Sequence, residues 1–174
     1  LVRYVIDEYT TNSAYLRLGG KPVVVAYNAE AEWVTSLKDN GLSERLAFFL
    51  CGGGSMDLGS DYCSGYIPYS PASSLQSLSY YFNQVGSKLP YRVFMVSPGY
   101  DDSHLGRPTS RVVLRNSGSN YQHAWATALE SSPDIIVIVS FNEWHEETSI
   151  EPCSEWEDLY LKLTYENTVK FHKQ

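Results

Sequence analysis

Five runs in this chain stay apolar from end to end instead of alternating with polar residues: "PVVVAY" (Pro22 to Tyr27), "RLAFFLC" (Arg45 to Cys51), "YCSGYIPY" (Tyr62 to Tyr69), "YRVFMVS" (Tyr91 to Ser97) and "DIIVIVSF" (Asp134 to Phe141). A strand with one face in water alternates, whereas continuous β-branched and aromatic runs suit strands covered on both faces, as in parallel sheets flanked by helices. The intervening segments carry helical spacing. Leu1 to Leu16 puts Leu1, Val5, Ile6 and Tyr9 on one face before "LGGKP" stops it, and Ala29 to Gly41 is rich in helix formers and ends at Asn-Gly. Ser73 to Val85 repeats Leu75, Leu78 and Phe82; "YQHAWATALE" aligns Ala124, Trp125, Ala128 and Leu129; a last helix is expected around Leu159 to Phe171. Two segments break the rhythm: "GGGSMDLGSD" is too Gly-rich for a helix, and Pro98 to Ser119 reads as a polar loop.

Strand and helix in alternation imply parallel pairing with right-handed crossovers, so the fold class is α/β. Five strands suit an open doubly wound sheet or a (β/α)₈ barrel; a complete barrel needs roughly 250 residues, and 174 are too few. With 43% hydrophobic residues the chain can bury a substantial core. Its 13 Lys and Arg are scattered within a net charge of −7, which argues against nucleic acid as a partner. No stretch approaches the roughly 20 apolar residues of a membrane-spanning helix, and "LVRYVIDEYT" is acidic where a signal peptide is apolar, so a soluble chain is expected. No dinucleotide or Walker A loop follows any strand; "CGGGS" lacks the lysine and reads as a connector, which disfavours a nucleotide binder. Cys51, Cys63 and Cys153 have neither metal-ligand spacing nor a disulfide framework, and Cys51 and Cys63 read as separate buried thiols before a bridged pair. No N-x-S/T acceptor is present.

In parallel α/β proteins, sites form at the carboxyl ends of strands. Here those ends hold Tyr27 and Asn28, Tyr66 and Tyr69, Tyr100 with Asp101 and Asp102, and Asn142 to Glu147. Aromatic, amide and acid without a strongly basic element suits a neutral hydroxylated ligand, a sugar, better than a phosphate. Glu143 and Glu146 are three residues apart. In an extended chain that separation is about 10 Å with opposite faces; in a helical turn the two share a face with Cβ atoms about 5–6 Å apart. Converging carboxylates repel, which raises one pKa and leaves an acid beside a base, as retaining glycosidases require at about 5–5.5 Å. The same acids also suit the first turn of a helix capped by Asn142. His145 lacks a second histidine at helical spacing, which disfavours a metal. Trp144 and the tyrosines equally suit a core, and Arg111 and Arg115 a surface.

"VSFNEWHEETSIEP" resembles the final-strand signature of glycoside hydrolase family 99, S-F-N-E-W-H-E-G-T-x-I-E-P. "YLRLGGKPVVVAYN", "SGYIPY", "VSPGYDD" and "LRN" with a following Tyr are similar to that family's fourth, sixth and seventh strands and the segment before its seventh helix. The resemblance implies a (β/α)₈ barrel of which this chain, residues 1–174, is the C-terminal part, from the helix before strand four, with the first three strands absent. It implies a retaining endo-α-mannosidase that acts on α-1,2-linked mannose-containing glycans without metal or other cofactor. Glu146 is then the general acid and base at the glycosidic oxygen, and Glu143 the base on the neighbouring 2-hydroxyl, through a 1,2-anhydro intermediate. Tyr66, Tyr100, Arg115, Asn142, Trp144 and His145 match positions that bind substrate. The family setting points to the secretory pathway, Golgi included, or to an extracellular or periplasmic location. Glu147 stands where the family has Gly, a departure expected to withhold the backbone angle that glycine supplies. The rival is a non-catalytic family-99-like module that binds glycan beside a glycosyltransferase.

Overall fold

The computed structural model describes residues 2–52, 63–84 and 86–174. The Gly-rich connector therefore lies mostly outside the described residues. Helices α1 (Val2–Glu8), α2 (Ala31–Asp39), α3 (Leu75–Gln84), α4 (Ser119–Glu130) and α5 (Leu159–Phe171) interleave with strands β1 (Arg17–Leu18), β2 (Lys21–Tyr27), β3 (Ala47–Cys51), β4 (Gly65–Ile67), β5 (Val93–Val96), β6 (Tyr100–Asp101), β7 (Val112–Val113) and β8 (Ile135–Ile138). β2, β3 and β4 pair in parallel, Val24 opposite Phe48 and Leu50 opposite Tyr66. β5 pairs in parallel with β8, Phe94 opposite Ile136. β5 packs beside β4, where the Tyr91 amide donates to the Ser64 carbonyl at 2.8 Å. The five apolar runs are thus the five long-range strands, and the class is mixed α/β as expected.

Alternate residues of each strand serve two apolar layers. Phe48 and Leu50 of β3 face α1 and α2 with Val2, Ile6, Val34 and Leu37, whereas Ala47, Phe49 and Cys51 face the other side with Ile67 and Val93. β5 and β8 pack against α3, α4 and α5 through Phe82, Phe94, Trp125 and Tyr160. On α4 the expected face is buried at Ala124, Trp125 and Ala128, with Tyr121 completing it one turn earlier. α2 stops at Asn40 because Gly41 takes φ +64°, which lets the Leu42 amide reach back to the Leu37 carbonyl at 2.9 Å and buries Leu42.

Three expectations change. The first helix ends at Glu8, because Thr10 and Asn12 compete for the backbone: Thr10 Oγ1 donates to the Ile6 carbonyl at 2.6 Å, and Asn12 Oδ1 accepts the Ala14 amide at 2.8 Å. β2 is not covered on both faces: Val25 is 51% and Tyr27 62% exposed. Among the described residues, β2 meets only the two-residue hairpin strand β1 on its outer edge, and its inner face opens on an apolar cleft of about 110 Å³ lined by Leu16, Leu18, Val23, Val25 and Phe49 among others. The polar stretch after Pro98 is not a plain loop, because β6 and β7 form an antiparallel ribbon, Tyr100 opposite Val113. Gly99 permits that approach, since a Cβ there would lie 2.8 Å from the Val113 carbonyl oxygen and 2.7 Å from Arg115 Cγ. No disulfide joins Cys51, Cys63 or Cys153, and burial pushes the Cys63 thiol up to about 11. No helix among the described residues is long and apolar enough to cross a membrane.

Candidate active site

The acidic segment after β8 is a closed turn, not the first turn of a helix. The Glu147 amide donates to the Trp144 carbonyl at 3.2 Å and the Thr148 amide to the Glu143 carbonyl at 3.1 Å, and the next helix waits until Leu159. The turn is sewn to the strand exit: Ser140 and Thr148 join through backbone (2.9 Å) and hydroxyls (3.1 Å), and the Ile150 and Glu151 amides return to the Phe141 carbonyl at 3.0 and 2.8 Å. Thr148 and Ser149 are fully buried beneath it. Ser140 Oγ also accepts the Glu143 amide at 2.8 Å, and Glu143 Oε1 accepts the His145 amide at 2.9 Å. Asn142 therefore caps no helix, because backbone pairing claims the segment first.

Around Glu146 three strand exits meet. From the exit of β4, the Tyr69 hydroxyl donates to Glu146 Oε2 at 3.4 Å. From the loop after β6, Arg107 Nη2 pairs with Glu146 Oε1 at 2.7 Å, while Arg107 Nη1 donates to Asp102 Oδ2 at 2.9 Å and to the Tyr100 hydroxyl at 2.7 Å. The Tyr100 hydroxyl in turn donates to Asp102 Oδ2 at 2.9 Å. The Asp101 amide donates to the Glu146 carbonyl at 2.9 Å, tying ribbon to turn. Burial first, then the charges of Glu146, Tyr27 and Glu143, push the Tyr69 phenol up to about 12, so both carboxylates bear on one phenol. Burial and the hydrogen bond to Asp102 push Tyr100 up to about 12. The Arg111 amide, on Asp102 Oδ1 at 2.7 Å, is the main cause holding the Asp102 carboxyl below its usual range, with Tyr100 and Arg107 adding to it.

Of the anticipated binding residues, Tyr100 joins this cluster, and Asn142, Trp144 and His145 stand exposed on the same turn. Tyr66 does not join it: period two turns its side chain into the helix-facing core, where its hydroxyl donates to the Gly52 carbonyl at 3.1 Å. Tyr69, on the same side as Ile67, takes the place beside Glu146. Arg115 acts from behind the turn, its Nη2 donating to the carbonyls of Glu147 (2.8 Å) and Ser149 (2.9 Å) and its guanidinium lying 4.0 Å over the Trp156 ring. Trp156 stacks on Trp144 at 5.6 Å and 13°, and Glu151 Oε2 accepts the Trp144 indole N–H at 2.9 Å, so Glu151 orients that ring. Glu147 does adopt the left-handed backbone that its glycine counterpart would supply, at φ +51°. Arg107 was not anticipated from sequence; within "DDSHLGRPTSR" its only signal is its position in the loop after a strand exit rich in acids. Beyond the turn, a cleft of about 290 Å³ is bordered by Tyr100, Asp101, Arg115, Glu147 and Glu155.

The fold and the cluster define an α/β protein whose strand exits gather carboxylates, phenols and one guanidinium around a small open site. Residues 62–171 match the sequence model of glycosyl hydrolase family 99, more than half of the chain, and the chain belongs to that family. Among curated relatives, it is similar to glycoprotein endo-alpha-1,2-mannosidase of Mus musculus (36% identical over 95 residues) and of Rattus norvegicus (45% over 95 residues), each alignment covering 45% of this chain and 20% of the relative. The matched region thus spans about a fifth of those relatives. Among solved structures, the GH99 endo-alpha-mannosidase from Bacteroides thetaiotaomicron in complex with bis-tris-propane superposes with a TM-score of 0.80 at 26% identity, over 99% of this chain and 64% of that one.

Proposed function

We propose that the protein carrying this chain is a retaining, endo-acting α-mannosidase that cleaves α-1,2-linked mannose-containing glycans, and that residues 1–174 are the C-terminal part of its (β/α)₈ barrel. The observation that carries the reading is the closed turn presenting Glu143 and Glu146 at a strand exit, with Glu146 bonded to Tyr69 and Arg107, in a chain of family 99. Glu146, held between Tyr69 and Arg107 at the meeting of three strand exits, is the general acid: it protonates the glycosidic oxygen as the bond to C1 breaks. Glu143 takes the proton of the neighbouring 2-hydroxyl, whose oxygen closes on C1 to give a 1,2-anhydro sugar. Water then opens that ring at C1, returning a proton to Glu146 while Glu143 gives its proton back to O2, with net retention. Tyr100, Asn142, Trp144 and His145 would line the sugar site, and the openness of the inner β2 face fits a barrel whose remaining strands lie outside residues 1–174.

The test is hydrolysis of an α-1,2-linked mannoside by the full-length protein, with Glu146→Gln expected to lower kcat by about 10²–10⁴-fold. Unchanged turnover in that variant removes Glu146 from the mechanism. Glycan binding without any hydrolysis by the wild type would instead favour a non-catalytic glycan-binding module.

A further inference from the structure

We propose that Arg107 is a positioning residue that decides which oxygen of Glu146 carries the catalytic proton, and that this oxygen is Oε2, on the Tyr69 side. The inference rests on the reading of Glu146 as acid and base. A guanidinium has five N–H donors and no acceptor, and it stays charged in proteins. With Arg107 Nη2 at 2.7 Å from Oε1, a proton on that oxygen would face another donor, so Oε1 serves only as acceptor. Oε2 faces the Tyr69 hydroxyl at 3.4 Å, and a phenol donates or accepts. It therefore tolerates Oε2 in both states of the catalytic cycle, which Arg107 does not permit at Oε1.

The placement of Arg107 is itself fixed. Its Nη1 is held by Asp102 Oδ2 and by the Tyr100 hydroxyl, and Asp102, 3% exposed, is anchored in turn by the Arg111 amide. The guanidinium so bridges a structural carboxylate and a catalytic one, and the hydrogen bonds to its two carboxylates dominate the upward displacement of its own pKa. The charged and titratable groups around Glu146 are then Tyr69 from the β4 exit, Tyr100, Asp102 and Arg107 from the segment after β5, and Glu143 on its own turn.

The consequence is directional. The glycosidic oxygen meets Oε2, beside Tyr69, whose ring is braced edge-on by Tyr27 at 5.4 Å and 81°. The proton leaves Oε2 for the glycosidic oxygen while the C1–O electron pair goes to that oxygen. Arg107 then faces the carboxylate left behind, and the proton from the incoming water returns to Oε2.

The experiment compares two substrates of the full-length protein that share the same α-mannosyl donor side, one with a sugar leaving group and one with fluoride, which departs with little acid assistance. Arg107→Met is expected to lower kcat/KM on the sugar leaving group by about 100-fold, the low end of what positioned proton transfer contributes, and at least tenfold less on the fluoride. Arg107→Lys, which keeps the charge and a donor, recovers part of the loss and carries the same comparison should Arg107→Met not fold. Equal losses on both substrates would overturn the assignment while leaving the proposed function standing. Absence of hydrolysis by the wild type would bring down the functional reading and this one with it.

Discussion

Glu147 is the position where backbone conformation and side chain pull in different directions, and Glu147→Gly measures the conflict. Its φ of +51° is in the left-handed region, which costs an L-residue roughly 1–2 kcal/mol and glycine little. The surroundings over-determine that angle: the Glu147 amide is bound to the Trp144 carbonyl at 3.2 Å and its carbonyl to Arg115 Nη2 at 2.8 Å. Glycine also gains freedom in the unfolded chain, a cost of roughly 0.5–1 kcal/mol. The difference leaves Glu147→Gly more stable by about 0.5–1 kcal/mol, a rise of about 1–4 °C in Tm for a domain of 150–250 residues. Glu147→Ala is the control, because it removes the same side chain but keeps the Cβ; it should stay within about 0.5 kcal/mol of the wild type. Thermal and urea unfolding of the three proteins decide the matter. If Gly and Ala are equally stable, or Gly is the weaker, the backbone at this turn is not strained and the reasoning fails.

Two further outcomes are expected. Trp125, 1% exposed between α4, β5 and α5, should cost about 3–5 kcal/mol as Trp125→Ala, read as a lowered urea midpoint; a loss below 1 kcal/mol would mean the layer repacks around the space. Asp102 is held below its usual range in the folded chain, so its contribution is present above the unfolded carboxylate range near pH 4 and is lost as pH falls through the lower folded value. Asp102→Asn should flatten the fall of the urea midpoint below about pH 4, and an unaltered acid slope would show that Asp102 is not the group titrating there.

What could be read along the chain was whatever depends on neighbours in sequence. Strand identity was legible in "RLAFFLC" and "DIIVIVSF", and the apolar face of α4 in Ala124, Trp125 and Ala128, because burial period is a local property. Spacing nominated Glu143 and Glu146, and likeness to a family supplied the roles proposed for them. It also placed Tyr66 beside these carboxylates, whereas alternation along the strand turns Tyr66 toward the helices and puts Tyr69, on the same side as Ile67, against Glu146. The amphipathic first segment promised a longer helix than Thr10 and Asn12 allow, because their side chains bond the backbone.

The amino-acid sequence by itself determined the α/β class and the positions of the five strands along the chain, which follow from local hydrophobic pattern, and the acidic composition of the strand exits, which is read off directly. Only the tertiary structure decided that Arg107, 39 residues from Glu146, closes on it, that Arg115 works from behind the turn, and that Glu151 orients Trp144. The first two contacts join strand exits far apart in the chain and the third depends on how one turn closes, and the energies of all three depend on distances that no linear spacing encodes.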